Sequence, residues 1–322
     1  SVFFEPTVYN GVSKRLTYPT YPVTPPDGVF HPKMIVASGE GNDGKRRVRL
    51  LVASANLTRS GWGKNREVAA TVDVENSATA SPLLDLLHWI FERTDGSKRP
   101  SGEGGLPSSY GEVVDRLEEL ANHEANPGDS KLIVTIPDSD TGSPSMMSTL
   151  ARTEGTLRVF SPYFHPTILS YLRKDKNLGD RPLEIVPAVS RHEEVEMPKE
   201  SLDELRAANN VQLARAEVRD GKERFDHFKL FEWDSGLALG SHNATCAALG
   251  NGDGGGYRNV EVSLILKGRG SGIDTRPVND EELKGKAPEK LDRPGNREGL
   301  DFTISVLVDW EESSSSINLH PA

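Results

Sequence analysis

Two short stretches, "HPK" at 31–33 and "HFK" at 227–229, each set a histidine two residues ahead of a lysine in an apolar, strand-like run. Side chains two apart on a strand share a face. An imidazole beside an ammonium can bind an anion, move a proton or offer a lone pair to it. Taken singly, either pair reads as a solvated sheet edge. The surroundings, however, also match: "SANLT" (54–58) and "SHNAT" (241–245) follow, then "NRE" (65–67) and "NVE" (259–261). His31, Lys33, Ser54, Asn56, Thr58, Asn65 and Glu67 thus correspond in order to His227, Lys229, Ser241, Asn243, Thr245, Asn259 and Glu261. The spacings differ only where "GEGNDGKRR" and "GNGDGGGY" insert loops. Seven matched positions, twice over, are read as an internal duplication.

Two copies suit one chemistry in particular. A phosphodiester receives a nucleophile on one side of phosphorus and releases an oxygen on the other, so two acid/base groups must face each other across it. Two halves about a pseudo-twofold axis would bring one histidine to each side. Lys33, Lys229 and the amides of Asn56 and Asn243 would hold the phosphoryl oxygens, where charge develops. No carboxylate cluster has metal-binding spacing, and neither metal nor cofactor is expected. Directly after Asn56, "LTRSGWGKNRE" places Arg59, Trp62, Lys64 and Arg66, a basic set with one aromatic that fits a groove tracking a nucleic-acid backbone and stacking a base. Lys45, Arg46, Arg47 and Arg49 either extend that groove or are solvated loop charges.

The elements that must position these residues follow from periodicity. Strands are expected at 30–38, 48–56 and 66–74, then helices at 81–94, with Ser81 as cap and Pro82 in the first turn, and within 110–125. The turn cluster "NPGD" (126–129) is the expected boundary between a first half, 1–128, and a second, 129–322. Beyond it, strands at 131–137, 156–164 and 182–189 alternate with helices at 165–175 and 198–210. Strands at 225–233, 236–244 and 259–268 then carry the second set. This predicts an α/β architecture of two mixed sheets flanked by helices, with the site at the seam between halves. The polar, Gly- and Pro-rich stretch 268–299 reads as a linker and 301–310 as a closing strand. Only about thirty residues precede His31, against about two strand–helix units ahead of His227, so the first half reads as minimal or truncated.

Of the other histidines, His88 and His123 read as structural or surface groups and His165 as a helix-start residue. His242 should alternate away from Ser241 and Asn243 and pack behind the site. The glycines at 252–256 lack a phosphate-loop context and read as a plain loop.

Bulk properties narrow the field. A formal net charge of -10 over 322 residues argues against a protein that coats nucleic acid by its overall field, while leaving room for a local basic cleft. The single cysteine, Cys246, excludes an internal disulfide and a cysteine-rich metal site, which fits a reducing, cytoplasmic setting. No stretch approaches the roughly 18 apolar residues of a membrane span, so no membrane partner is expected. The chain begins at Ser1 without an initiator methionine and is read as part of a longer polypeptide or a multi-subunit complex.

The duplicated pattern resembles the phospholipase D superfamily, whose signature is H-x-K-x(4)-D followed by G-S-x-N. His227, Lys229 and Asp234, then Gly240 to Asn243, fit it fully. The first copy departs at Ser38, where the signature has Asp, and at Ala53, where it has Gly. The missing Asp and the run "SANLTRSGWG" are similar to the tyrosyl-DNA phosphodiesterase branch, whereas the Asn-x-Glu pairs look more like bacterial phospholipase D-like nucleases. The resemblance implies a metal-independent phosphodiesterase with a covalent phosphohistidine, His31 as nucleophile and His227 as acid and base. Glu67 and Glu261 would then accept the histidines' other N–H and hold the tautomer, with Ser54 and Ser241 in support. DNA is the expected substrate, and defence against foreign DNA or repair the role that family analogy suggests. The alternatives are a lipid phosphodiesterase or transphosphatidylase, and a non-catalytic domain that grips phosphate or nucleic acid.

Overall fold

Within the Pro- and Tyr-rich start of the chain, β1 (Val2–Phe4) and β2 (Thr20–Pro22) pair in parallel where only an extended approach was expected. The computed structural model describes residues 2–6, 20–56, 61, 64–94, 108–137, 145–189, 194–195, 197–217, 224–250, 258–283, 302–309 and 314–321. The first sheet is a hairpin of β3 (Met34–Glu40) and β4 (Arg46–Ala53). Its turn is closed by Gly44 at φ 73°, a left-handed backbone that glycine adopts without strain. The two-residue strand β5 (Asn65–Arg66) follows, and β6 (Ala69–Asp73) adds antiparallel to β4. Val48, Leu50 and Val52 of β4 are buried on one face, whereas Leu51 and Ala53 form a small cluster with Ile35 on the other.

Two helices cover the inner face: α1 (Ser77–Arg93) and α2 (Ser108–Ala121), joined where Tyr110 Oη donates to Leu87 O at 2.5 Å. The start of α1 corrects the expectation. Asn76, not Ser81, is the cap, its side chain accepting from Ala78 N at 3.1 Å. Pro82 therefore lies inside the helix.

The second sheet draws on β7 (Lys131–Thr135), then α3 (Met146–Leu150), β8 (Leu157–Ser161), α4 (Ile168–Leu172), α5 (Lys176–Gly179), β9 (Leu183–Pro187), α6 (Lys199–Arg206) and β10 (Val211–Glu217). It continues with β11 (Phe225–Asp226), β12 (Leu230–Trp233), β13 (Gly236–Gly240), α7 (Cys246–Leu249), β14 (Glu261–Lys267) and β15 (Asp274–Pro277). Eight of these strands form one sheet in the order β15-β10-β9-β8-β12-β13-β14-β7. The pairs β8–β9 and β9–β10 are parallel, and every other ladder of this sheet is antiparallel. Helices α3, α4 and α6 bury Met146, Ile168 and Leu202 against one face with Val159, Ile185 and Phe231. The opposite face, through Leu237, Leu239 and Val262, shares a core with β4 and α1.

The sheets are unequal. The chain has the expected mixed α/β architecture, but among the described residues only the second sheet is mixed; the first has three strands, all antiparallel. The expected linker 268–299 is also corrected over its first part, where β15 pairs with β10 as an edge strand. Residues 284–299 lie outside the described residues. The helix expected at 165–175 is confined to α4, because Pro166 follows His165 directly and the chain turns there first. The closing strand β16 (Phe302–Asp309) joins neither large sheet among the described residues and pairs with β17 (Ser314–Pro321) as a hairpin. No described helix is long and apolar enough to cross a membrane.

Candidate active site

The segment ahead of β3 is pinned from two sides. Phe30 N donates to the buried Glu5 carboxylate at 2.8 Å, and His31 N donates to Val260 O at 3.0 Å, beside a parallel bridge between Phe30 and Val260. His31 and Lys33 lie just before β3 rather than within it, yet they keep the strand's alternation, with Met34 and Val36 packed into the core on the other side. Lys33 Nζ donates to His31 Nε2 at 2.5 Å and to His31 O at 3.1 Å. On its other edge, His31 Nδ1 donates to Glu261 Oε2 at 2.8 Å. Glu261 is fully buried, and Asn259 Nδ2 donates to its Oε1 at 3.0 Å.

The second motif repeats these bonds with the roles exchanged. His227 N donates to Arg66 O at 2.9 Å, next to the parallel pairing of β5 with β11. His227 Nδ1 donates to Glu67 Oε1 at 2.9 Å, and Asn65 Nδ2 donates to the same oxygen at 3.3 Å. Lys229 Nζ donates to His227 Nε2 at 3.0 Å and reaches Ser54 O at 3.5 Å. Each histidine is thus tethered by the carboxylate of the other motif. An ionised carboxylate only accepts, so Nδ1 must carry the proton and Nε2 keeps its lone pair toward the lysine.

The serines brace the strands behind. Ser54 N donates to Val68 O and Ser241 N to Val262 O, both at 2.8 Å, and each hydroxyl accepts in return, from Val68 N at 3.0 Å and Val262 N at 2.8 Å. Ser54 Oγ further donates to Glu67 Oε2 at 2.5 Å.

Burial dominates the electrostatics. It lowers both histidines, His227 to about 4, with the neighbouring lysines adding to the effect and the carboxylates opposing it. Burial, then the charge of Lys229, holds Lys33 well below the usual lysine range, and burial brings Lys229 to about 8. Burial alone would raise Glu261, but the charge and hydrogen bond of His31 outweigh it and hold the carboxyl at about 2. Two ammonium groups close enough to repel, with two imidazole lone pairs beside them, make a site that an anion would stabilise.

The other expected residues are distributed unevenly. Asn243 is buried, with its Oδ1 unpartnered, while Asn56 is exposed at the end of a described stretch. Arg59, Trp62 and Thr58 lie outside the described residues. Lys64 is exposed; Arg66 instead ties the seam, donating to the buried Asp226 at 2.8 Å. Arg47 and Arg49 are engaged by Asp43 and Asp73, so the basic stretch at 45–49 is not a row of free charges. His165 stays local, accepting from Thr167 N and stacking on Tyr171. Sequence reasoning assigned no role to Asn65 and Asn259, although the repeat contained them. It also missed Tyr163 and Phe225, whose rings lie 6.4 and 6.0 Å from that of His227.

Neither a protein-family model nor a curated protein sequence matches this chain. Solved structures do. The yeast tyrosyl-DNA phosphodiesterase superposes with a TM-score of 0.51 and 13% identity over 80% of this chain and 72% of that one. A mutant form of the same enzyme gives 0.55 and 11%, over 82% and 75%. This chain has the phospholipase D fold. Nuc from Salmonella typhimurium, a phospholipase D family member, matches 43% of this chain and 84% of its own at 19% identity and a TM-score of 0.28.

The phospholipase D signature's departures in the first motif have local causes. Asp234 sits in the β12–β13 turn, where its carboxylate accepts from Thr156 N at 3.3 Å. The β3–β4 hairpin is longer, so Ser38 is still mid-strand opposite Val48 and has no turn to hold. At Gly240 an added Cβ would fall 2.2 Å from Val262 O, a crowding that Ala53 avoids in its own strand.

Proposed function

We propose that the chain is a phosphodiesterase acting on nucleic acid, DNA first, through a covalent phosphohistidine. The observation that carries this reading is the exchange of carboxylates, which leaves His31 and His227 each with an unprotonated Nε2 that accepts from a lysine. Residues 1–128 supply one imidazole and 129–322 the other. A bound phosphoryl group takes the lysines' hydrogen bonds from the Nε2 atoms, and its negative charge raises both histidines. His31 Nε2 then forms a bond to phosphorus as the bond to the leaving oxygen breaks, and His227, protonated, gives that oxygen its proton. In the second step His227 takes a proton from water, whose oxygen displaces His31 from phosphorus. Lys33, Lys229 and Asn243 hold the phosphoryl oxygens throughout.

DNA is favoured by the fold shared with an enzyme named for tyrosyl-DNA, and by the basic and aromatic residues Arg59, Trp62 and Lys64 that the sequence places after Asn56. The test is zymography of wild type and His31→Ala on single- and double-stranded DNA in EDTA. Cleavage that survives EDTA and falls by roughly 10³-fold or more in the variant is expected. Turnover of phosphatidylcholine but not DNA would replace the substrate, and turnover of neither would replace the reading.

A further inference from the structure

One buried titratable group beside the site takes no part in the chemistry above. His242 is fully buried and bonded at both ring nitrogens, Nε2 to Thr135 Oγ1 and Nδ1 to Ser263 Oγ, each at 2.8 Å. The sheet register locates the ring. Glu261 opens β14 directly opposite Thr135 of β7, and Ser263 lies two residues further along the same face of β14. Opposed side chains on an antiparallel pair stand about 5 Å apart at Cβ. A ring that bridges Thr135 and Ser263 therefore stands beside the Glu261 carboxylate.

The first motif has no counterpart. The positions matching His242 and Ser263 are Ala55 and Ala69. Glu67 instead takes the Ser54 hydroxyl, whereas the Ser241 hydroxyl is turned to Val262 O at 3.3 Å. Both partners of His242 are hydroxyls, which donate or accept, so either neutral tautomer is satisfied. Burial brings His242 to about 4, so the ring is neutral at neutral pH. A neutral ring tethered at both ends fills the space beside a buried carboxylate without competing with His31 for its charge.

We infer that His242 is a positioning residue, which seats the Glu261 carboxylate against His31 Nδ1 and makes the two histidine–glutamate pairs inequivalent. Its catalytic consequence rests on the phosphodiesterase reading; its structural content does not.

Wild type, His242→Ala, His242→Gln and Ser263→Ala are compared in two readouts. The first, which needs no turnover, is the downfield proton NMR resonance of each ring N–H bonded to a carboxylate. His242→Ala should lose the His31 Nδ1–H resonance and keep that of His227. His242→Gln, whose amide can donate to one hydroxyl and accept from the other, should restore it. Ser263→Ala, which removes one tether and keeps the ring, should broaden it, and answers the question if His242→Ala does not fold. The second readout is hydrolysis of bis(p-nitrophenyl) phosphate, where His242→Ala should lower kcat about tenfold with KM nearly unchanged, and His242→Gln should recover most of it. An unchanged His31 resonance in His242→Ala and Ser263→Ala overturns the inference, as does equal loss of both histidine resonances. A protein that turns over no phosphodiester but whose His31 resonance still depends on His242 overturns the phosphodiesterase reading and supports the positioning role.

Discussion

The two histidine motifs share a carboxylate on Nδ1 and a lysine on Nε2, on scaffolds of different depth. Around His227, strands β12 and β13 are buried along their whole length, and Asn243 is enclosed. Around His31, strand β3 is half-buried to exposed and Asn56 faces outward. The rings follow suit: the His31 side chain is 25% exposed and that of His227 11%. What stays constant is the tether on Nδ1, and each motif obtains it from the other. The shallow sheet supplies Glu67 to the deep histidine, and the deep sheet supplies the fully buried Glu261 to the shallow one. Neither histidine is oriented by its own sheet alone.

That exchange can be broken directly. Glu261→Gln should disturb His31 and Glu67→Gln should disturb His227, each lowering kcat by roughly 10²-fold with the matching Nδ1–H resonance lost. Loss of the His31 resonance in Glu67→Gln would mean that the tethers run within motifs. The difference in depth can be sharpened with the asparagines. Asn243→Ala, which removes a buried amide, should raise KM for bis(p-nitrophenyl) phosphate about tenfold, and Asn56→Ala only about twofold. Equal effects would mean that substrate enclosure makes the two motifs alike. A modest effect is also expected on pH dependence. Burial places Lys229 at about 8, so its charge is present below that pH and lost above it. KM should therefore rise a few-fold as pH climbs from 7 to 9, measured at fixed ionic strength, and Lys229→Arg, which stays charged, should flatten the rise.

Much of the site was legible because the repeat pairs residue types in order, and alternation predicts that His31 and Lys33 share a face. The partners of the histidines were not. Glu261 is 230 residues from His31 and Glu67 is 160 from His227, and no local period encodes which carboxylate crosses over. The strands were legible where apolar residues alternate cleanly, as in β4 and β14. Strand β10 escaped because the residues it buries are only Ala214 and Ala216, with Gln212 and Arg215 beside them. β15 escaped because "DTRP" is polar, as an edge strand can afford to be. The cap of α1 was misplaced because Ser81 with Pro82 makes a valid start signal, while Asn76 makes one as well and adds about one further turn, 77–80, which buries Thr79 and Ala80.

The crossed tethers also bear on synthesis. While the ribosome has delivered only the first half, His31 exists without the acceptor that sets its tautomer, since Glu261 is still unmade; His227 meets Glu67 earlier, as soon as it emerges. On the proposed function, the first histidine thus lacks its tether in the nascent chain until β14 docks, and a polypeptide that stalls before residue 261 carries a His31 whose tautomer nothing in the second half has set.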